Sequence, residues 1–247
     1  MGTNKKVKFL YKGDLTYNSG FDLLLKAYSE EFIKDEDVSL VVLTSKDNLT
    51  EERQKLLNEL IKNYDSPEVI FVENNNDESN LASFYKSASF FVSTHRQDSY
   101  CFDILSSMGC ATPAIVTDFG AVLDYCDNDN SILVKAEKIY QKEKSVDGLT
   151  TTSYPYLPEV DLISLRVELR KAYEMDLDTY QKLSNKAYKT VVDNFTLIKI
   201  NEKIKENLYA LLKTPIKQNE TLTVNKKILE GLNTLNSGDY SIATNIL

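Results

Sequence analysis

The sequence holds no tryptophan, one histidine, three cysteines and eight glycines in 247 residues. A lone His95 with Cys101, Cys110 and Cys126, none of them in a Cys-x-x-Cys pair, is too sparse a donor set for a zinc site. No metal is expected. Three thiols at these spacings make no disulfide framework, so reduced cysteines in a cytoplasmic protein are the expectation. No apolar run approaches the ~20 residues of a membrane span, and residues 1–6 lack a signal-peptide core, so no transmembrane segment is expected. Positive charge is also short. A net charge of −8 argues against nucleic acid as a partner. No Gly-x-Gly-x-x-Gly or phosphate-loop motif opens any helix, which sets aside those two nucleotide-binding classes.

What remains is an ordinary globular composition, 42% hydrophobic and 27% charged, with enough apolar residues for one large core and an appendage. Short apolar runs at 7–11, 38–43, 69–72, 89–93, 114–117 and 132–134 read as strands. The run at 38–43 is nearly continuous, as in a strand buried on both faces. Helical periodicity covers 21–32, a stretch capped by Thr50 and ending near Tyr64, then 79–87, and a short segment from about Tyr100. Strands alternating with helices predict a doubly wound α/β domain with a six-stranded parallel sheet.

After Val134 the pattern changes. Residues 135–158 read as a polar, irregular loop, followed by helices over 159–174, 176–194 and 197–213. Thr214-Pro215 breaks the helical pattern, and 214–223 reads as a linker closing a domain of 1–213. The last stretch, 224–247, reads as a helical hairpin turning at Asn236-Ser237-Gly238-Asp239, with Leu229, Leu232, Leu235, Tyr240 and Ala243 at packing positions. It resembles the first half of a tetratricopeptide repeat; a single capping hairpin is the other reading.

The most informative stretch is 93–120, a strand end, a polar loop, a short helix, a second buried strand and another polar loop. In such a sheet it places two loops and a helix N-terminus at the carboxyl edge, where ligands bind. Asp98-Ser99-Tyr100-Cys101, then Phe102 to Leu105, then Ser106-Ser107-Met108-Gly109-Cys110-Ala111-Thr112-Pro113, then Thr117-Asp118-Phe119-Gly120-Ala121 follow one another in order. That order resembles the run Glu-Gly-Phe-Gly, Glu-Ala-Met-Ala-Cys-Gly-Thr-Pro, Thr-Asp-x-Gly-Gly of family 4-type glycosyltransferases (glycosyl transferases group 1). The lead-in Leu81 to Val92, Asn130-Ser131-Ile132-Leu133-Val134 and Asn194-Phe195-Thr196 extend the resemblance over 7–213.

The resemblance implies the nucleotide-sugar-binding C-terminal half of a GT-B fold, a Rossmann-like sheet followed by an α-helical tail. It implies glycosyl transfer, of hexosyltransferase type, from a nucleotide-diphosphate sugar, which is the substrate, with no separate cofactor. The acceptor domain would be N-terminal and absent from this chain, so this chain alone would be an incomplete enzyme. Donor contacts implied by position are Gly13, Asp98, Ser99, Tyr100, Cys101, Phe102, Ser106, Phe119 and Gly120; Lys12 and Arg96 are candidate phosphate cations that could compensate for the two the family carries in its first loop. The amides of 99–102, and those of Phe119 and Gly120, would donate to the anion.

Three departures shape a second expectation. Asp14 and Ser19 stand where the family places an arginine and a lysine, and Ser106 stands where it places a glutamate, two helical turns from Asp98 and facing the same crevice. An acid near a diphosphate reverses the local sign. The alternative is therefore a degenerate domain kept as a scaffold or regulatory subunit, binding a protein partner through its C-terminal hairpin. Asp98 has a plain reading as a helix cap, and Met108 and Cys110 as packing residues. Cys101, beside a helix N-terminus, is a candidate for a lowered thiol pKa.

Overall fold

The computed structural model describes residues 2–46, 65–73, 78–97, 100–146, 149–213 and 221–236. The expected helix from Thr50 to Tyr64 and the expected ligands Asp98 and Ser99 lie outside them, as do the turn at 237–239 and the helix after it. All six expected strands form: β1 (Val7–Lys12), β2 (Val38–Thr44), β3 (Glu68–Glu73), β4 (Phe90–Ser93), β5 (Ala114–Thr117) and β6 (Ser131–Val134). They pair in parallel in the order β3-β2-β1-β4-β5-β6. Every residue of β2, β4 and β5 is buried, as their apolar runs require.

The strand order reverses between β1 and β4, which pair through Phe9 opposite Phe90 and Leu10 opposite Phe91. At such a switch point the loops leaving neighbouring strands diverge to opposite faces and open a crevice between them. Helix α1 (Phe21–Glu31) packs Phe21, Leu24, Leu25 and Tyr28 against Phe9, Tyr11 and Leu40 to build the core on one face. Helices α2 (Glu78–Ser87) and α3 (Phe102–Gly109) flank β4 in sequence.

Gly20 explains how the first loop meets the sheet. It enters α1 with φ +69°, and a Cβ there would lie 1.8 Å from the Thr94 carbonyl oxygen. Thr94 Oγ1 donates to the Gly20 carbonyl at 2.9 Å, and the amides of Arg96 and Gln97 donate to Asn18 at 2.9 and 3.1 Å. The loops after β1 and β4 are thus laced backbone to backbone, and only glycine permits that approach.

The segment 135–158 departs from the expected irregular loop. Strand β7 (Ala136–Tyr140) pairs antiparallel with β10 (Tyr156–Val160), and β8 (Ser145–Val146) pairs with β9 (Leu149–Thr150). Pro158 is tolerated because a two-stranded ribbon consists of edges. The ribbon also moves the next helix. Helix α4 (Leu162–Tyr173) starts three residues later than 159, with Asp161 capping it by accepting from the Ser164 amide at 2.6 Å. Helix α5 (Leu177–Asn194) follows, capped by Asp176 from the Thr179 amide at 2.9 Å, and α6 (Leu197–Lys213) spans the expected residues.

The chain divides into two compact units, Met1–Thr190 and Val191–Leu247. In the second unit, Leu208 of α6 and Leu232 of α7 (Thr221–Asn236) form a small apolar cluster with Ile204, Leu212 and Ile228. Helix α7 begins inside the expected linker. Among the described residues, no helix is long and apolar enough to cross a membrane.

Candidate functional site

A cavity of about 90 Å³ opens at the carboxyl ends of β4 and β5. Its floor is Ser93 and Thr117, the last residues of those strands. His95, Arg96 and Cys101 form one wall, and Phe119, Gly120 and the turn after it form another. Pro158 of the ribbon closes the rim. Of the sequence-predicted ligands, Arg96, Cys101, Phe119 and Gly120 therefore meet at one place.

Cys101 precedes α3 in a left-handed conformation, φ +48°, which an L-residue adopts only when its surroundings hold it there. It is buried. Its Sγ lies 3.6 Å from Ser93 Oγ, which in turn lies 2.6 Å from His95 Nδ1. The imidazole is stacked on Tyr11, with ring centroids 6.4 Å apart. Thiol, hydroxyl and imidazole are thus connected along the cavity wall. Burial pushes the Tyr11 phenol well above its ordinary pKa, so it stays neutral beside them.

Arg96 is buried at 3% exposure. Its guanidinium donates to both oxygens of Asp22, at 2.7 and 2.9 Å, and to Glu159 through two nitrogens, one at 3.0 Å. It also donates to the Tyr17 carbonyl at 2.6 Å and stacks on the Tyr17 ring, 3.8 Å from its centroid. Burial alone would lower the Arg96 pKa; the hydrogen bonds to Glu159 and Asp22 outweigh it and hold the group charged. Lys12 donates to Asp103 of α3, which also accepts from the Tyr85 hydroxyl at 2.6 Å. Both expected phosphate cations are therefore paired with carboxylates.

The remaining expected residues are placed differently. Ser106 does not face the cavity: it is exposed, and its hydroxyl donates to the Phe102 carbonyl one turn back, at 2.9 Å. Phe102 is 70% exposed and packs its ring against Tyr100, whose carbonyl accepts from Tyr125. The Phe119 amide, expected to donate to an anion, donates to the Thr117 carbonyl at 2.7 Å. Gly13 donates to the Leu43 carbonyl, and Ser19 is buried with its hydroxyl on the Thr16 carbonyl at 2.6 Å. Met108 is fully buried, in keeping with packing. Cys110 is partly buried, and burial raises its thiol pKa.

Sequence reasoning did not find the connection from Ser93 through His95 to Cys101, the two carboxylates on Arg96, or the ribbon at the rim. The scarcity of arginine was the available signal: four occur in the chain, and Arg96, Arg166 and Arg170 each engage two different carboxylate side chains. Among the described residues, no group of three or more His, Cys, Asp or Glu side chains could hold a metal ion.

A six-stranded parallel sheet reversing at β1 and β4, with its cavity at the carboxyl edge and helices closing behind, is the C-terminal half of a GT-B fold. The family model described as glycosyl transferases group 1 matches residues 6–147. The chain belongs to that family. No curated protein matches the sequence.

Among solved structures, the C-terminal domain of a glycosyl transferase group 1 family protein from Francisella tularensis is similar, with 17% identity and a TM-score of 0.57. The match covers 78% of this chain and 87% of that one. A glycosyltransferase from Rickettsia africae matches at 17% identity and TM-score 0.62, over 86% of this chain and 49% of that one. Anabaena HepE, solved with UDP and glucose, matches at 13% identity and TM-score 0.58, over 83% and 49%. At these identities the likeness is one of fold. The chain matches about half the length of the latter two proteins.

Proposed function

We propose that this chain is the donor-binding half of a glycosyltransferase, holding a nucleotide-diphosphate sugar in the crevice at β4 and β5 for hexosyl transfer to an acceptor. The acceptor domain would be N-terminal and outside this chain. The observation that carries the reading is the cavity itself, lined except for Pro158 by residues of the family-matched segment and opening on the N-terminus of α3. The Ile104 amide already donates to the Cys101 carbonyl at 3.0 Å, so in the first turn of α3 the amides of Phe102 and Asp103 are the ones suited to phosphate oxygens. The hydroxyls of Ser93 and Thr117 and the imidazole of His95 offer polar contacts to sugar or phosphate. Asp98 and Ser99, by their place in the motif, would complete the donor contacts. The nucleotide sugar is substrate, and no further cofactor is called for. Free thiols suit a cytoplasmic setting.

A second reading rests on one observation: Lys12 and Arg96 are already paired with acids. A diphosphate would have to be held without them, or draw them away from partners. Under this reading the domain is a scaffold that binds a protein partner through residues 224–247. Calorimetric titration with UDP-, GDP- and ADP-glucose decides between the two. Saturable binding of one of them is expected; no binding of any at millimolar concentration overturns the donor reading. Recovery of a partner that is lost on deleting 224–247 would then support the scaffold.

A further inference from the structure

The β7–β10 ribbon has a face that continues the cavity wall. Residues directly opposed in an antiparallel pair share a face, and alternate residues along each strand return to it. Pro158 lies opposite Lys138, and Tyr156 opposite Tyr140, so these four residues form one face. Pro158 lines the cavity, and so does Phe119.

From Phe119 the rings run outward. Phe119 meets Tyr156 nearly perpendicular at 6.0 Å between centroids, and Tyr156 meets Tyr140 at 5.7 Å. Lys138 Nζ lies 4.5 Å from the Tyr156 centroid and 5.7 Å from that of Phe119. Tyr140 is 64% exposed and Tyr156 40%. The ribbon is a separate two-stranded sheet, so these rings are not part of the main sheet's core. It is nonetheless tied to the cavity wall, because Glu159, the neighbour of Pro158, accepts from Arg96. A pre-ordered aromatic surface loses little side-chain entropy when a ligand arrives.

The chemistry of this surface suits a chain of pyranose rings. The C–H face of a pyranose packs on the electron-rich face of an aromatic ring. Its equatorial hydroxyls lie at the rim, within reach of tyrosine hydroxyls and a lysine ammonium. We propose that Tyr140, Tyr156 and Lys138 form a saccharide platform leading to the cavity at Phe119. The ligand class it takes is an oligosaccharide. As a contribution to acceptor binding beside the N-terminal acceptor domain, this rests on reading the cavity as the donor site.

The test uses the full chain and saturation-transfer NMR with maltotriose, cellotriose and chitotriose, beside the nucleotide-sugar calorimetry. At least one trisaccharide should bind at tens of millimolar or below. Tyr140→Leu/Tyr156→Leu keeps the apolar area and removes the rings; it should weaken that binding about tenfold or more. Tyr140→Phe/Tyr156→Phe should retain most of it, and thermal melting checks that both variants fold. Unchanged binding in the Leu variant overturns the platform, as does binding of no trisaccharide. A bound nucleotide sugar with no bound trisaccharide removes the platform alone. A bound trisaccharide with no bound nucleotide sugar removes the donor reading and leaves the platform as a binding site.

Discussion

Lys12 and Asp103 face each other at 2.8 and 2.9 Å, the lysine donating to both oxygens of a carboxylate in the first turn of α3. The lysine ends β1, so the pair ties the central strand to the helix whose N-terminus opens on the cavity. Both side chains are partly exposed, at 20% and 32%, which limits the energy of the contact. A double-mutant cycle with Lys12→Met and Asp103→Asn should give a coupling of about 1 kcal/mol by urea unfolding, falling at high salt. A coupling near zero would mean that the two side chains do not pair in solution.

Arg96→Lys should destabilise strongly despite preserving the charge. An ammonium cannot bridge Asp22, Glu159 and the Tyr17 carbonyl as the planar fork does, and at the buried position of the guanidinium it finds little water to replace the lost hydrogen bonds. The expected loss is about 3 kcal/mol, read as a lowered urea midpoint at unchanged slope. Arg96→Met should cost at least as much.

Glu36 provides a pH-dependent contribution. Its hydrogen bond from Arg170 holds the carboxyl below its ordinary pKa of 4.5. A lowered folded pKa means stability that is complete above the unfolded value and is lost as pH falls through the folded one. Glu36→Gln should therefore cost about 1 kcal/mol at pH 7 and progressively less below about pH 4.5. Parallel stability curves for the two proteins across that range would exclude the linkage.

Gly20→Ala tests the lacing of the two crevice loops. The added methyl meets backbone, not a movable side chain, and the residue also has positive φ. Stability should drop by about 3 kcal/mol, and the cavity should lose any ligand it binds. A variant as stable as the parent would show that the loops separate without cost.

Much of the fold was legible because it rests on long apolar runs and capped helices. The stretch 38–43 has no polar face to confuse its reading, and Leu197 to Lys213 keeps its helical period from end to end. The ribbon was not legible, for a physical reason. Ala136–Tyr140 is mostly exposed, so no hydrophobic alternation marks it, and Pro158 argues against a strand until its partner is known to be an edge. In the site, Cys101, Phe119 and Gly120 could be placed because they are local to the motif. Ser106 could not: a serine in a helix can turn its hydroxyl back to the preceding turn, and this one does. The partners of Lys12 and Arg96 come from distant parts of the chain, and pairing across such gaps leaves no local pattern.

The clamp on Arg96 also bears on the order in which the domain is made. It reaches 74 residues back to Asp22 and 63 forward to Glu159. Contacts of that separation close only after intervening segments have been brought together, since each carries a loop entropy that local structure must first offset. The centre of the sheet depends on contacts of the same range, with Phe9 opposite Phe90 in the β1–β4 pair, so neither it nor the cavity wall can form from local contacts alone. A ligand seated there would select chains whose two ends of the clamp have already met.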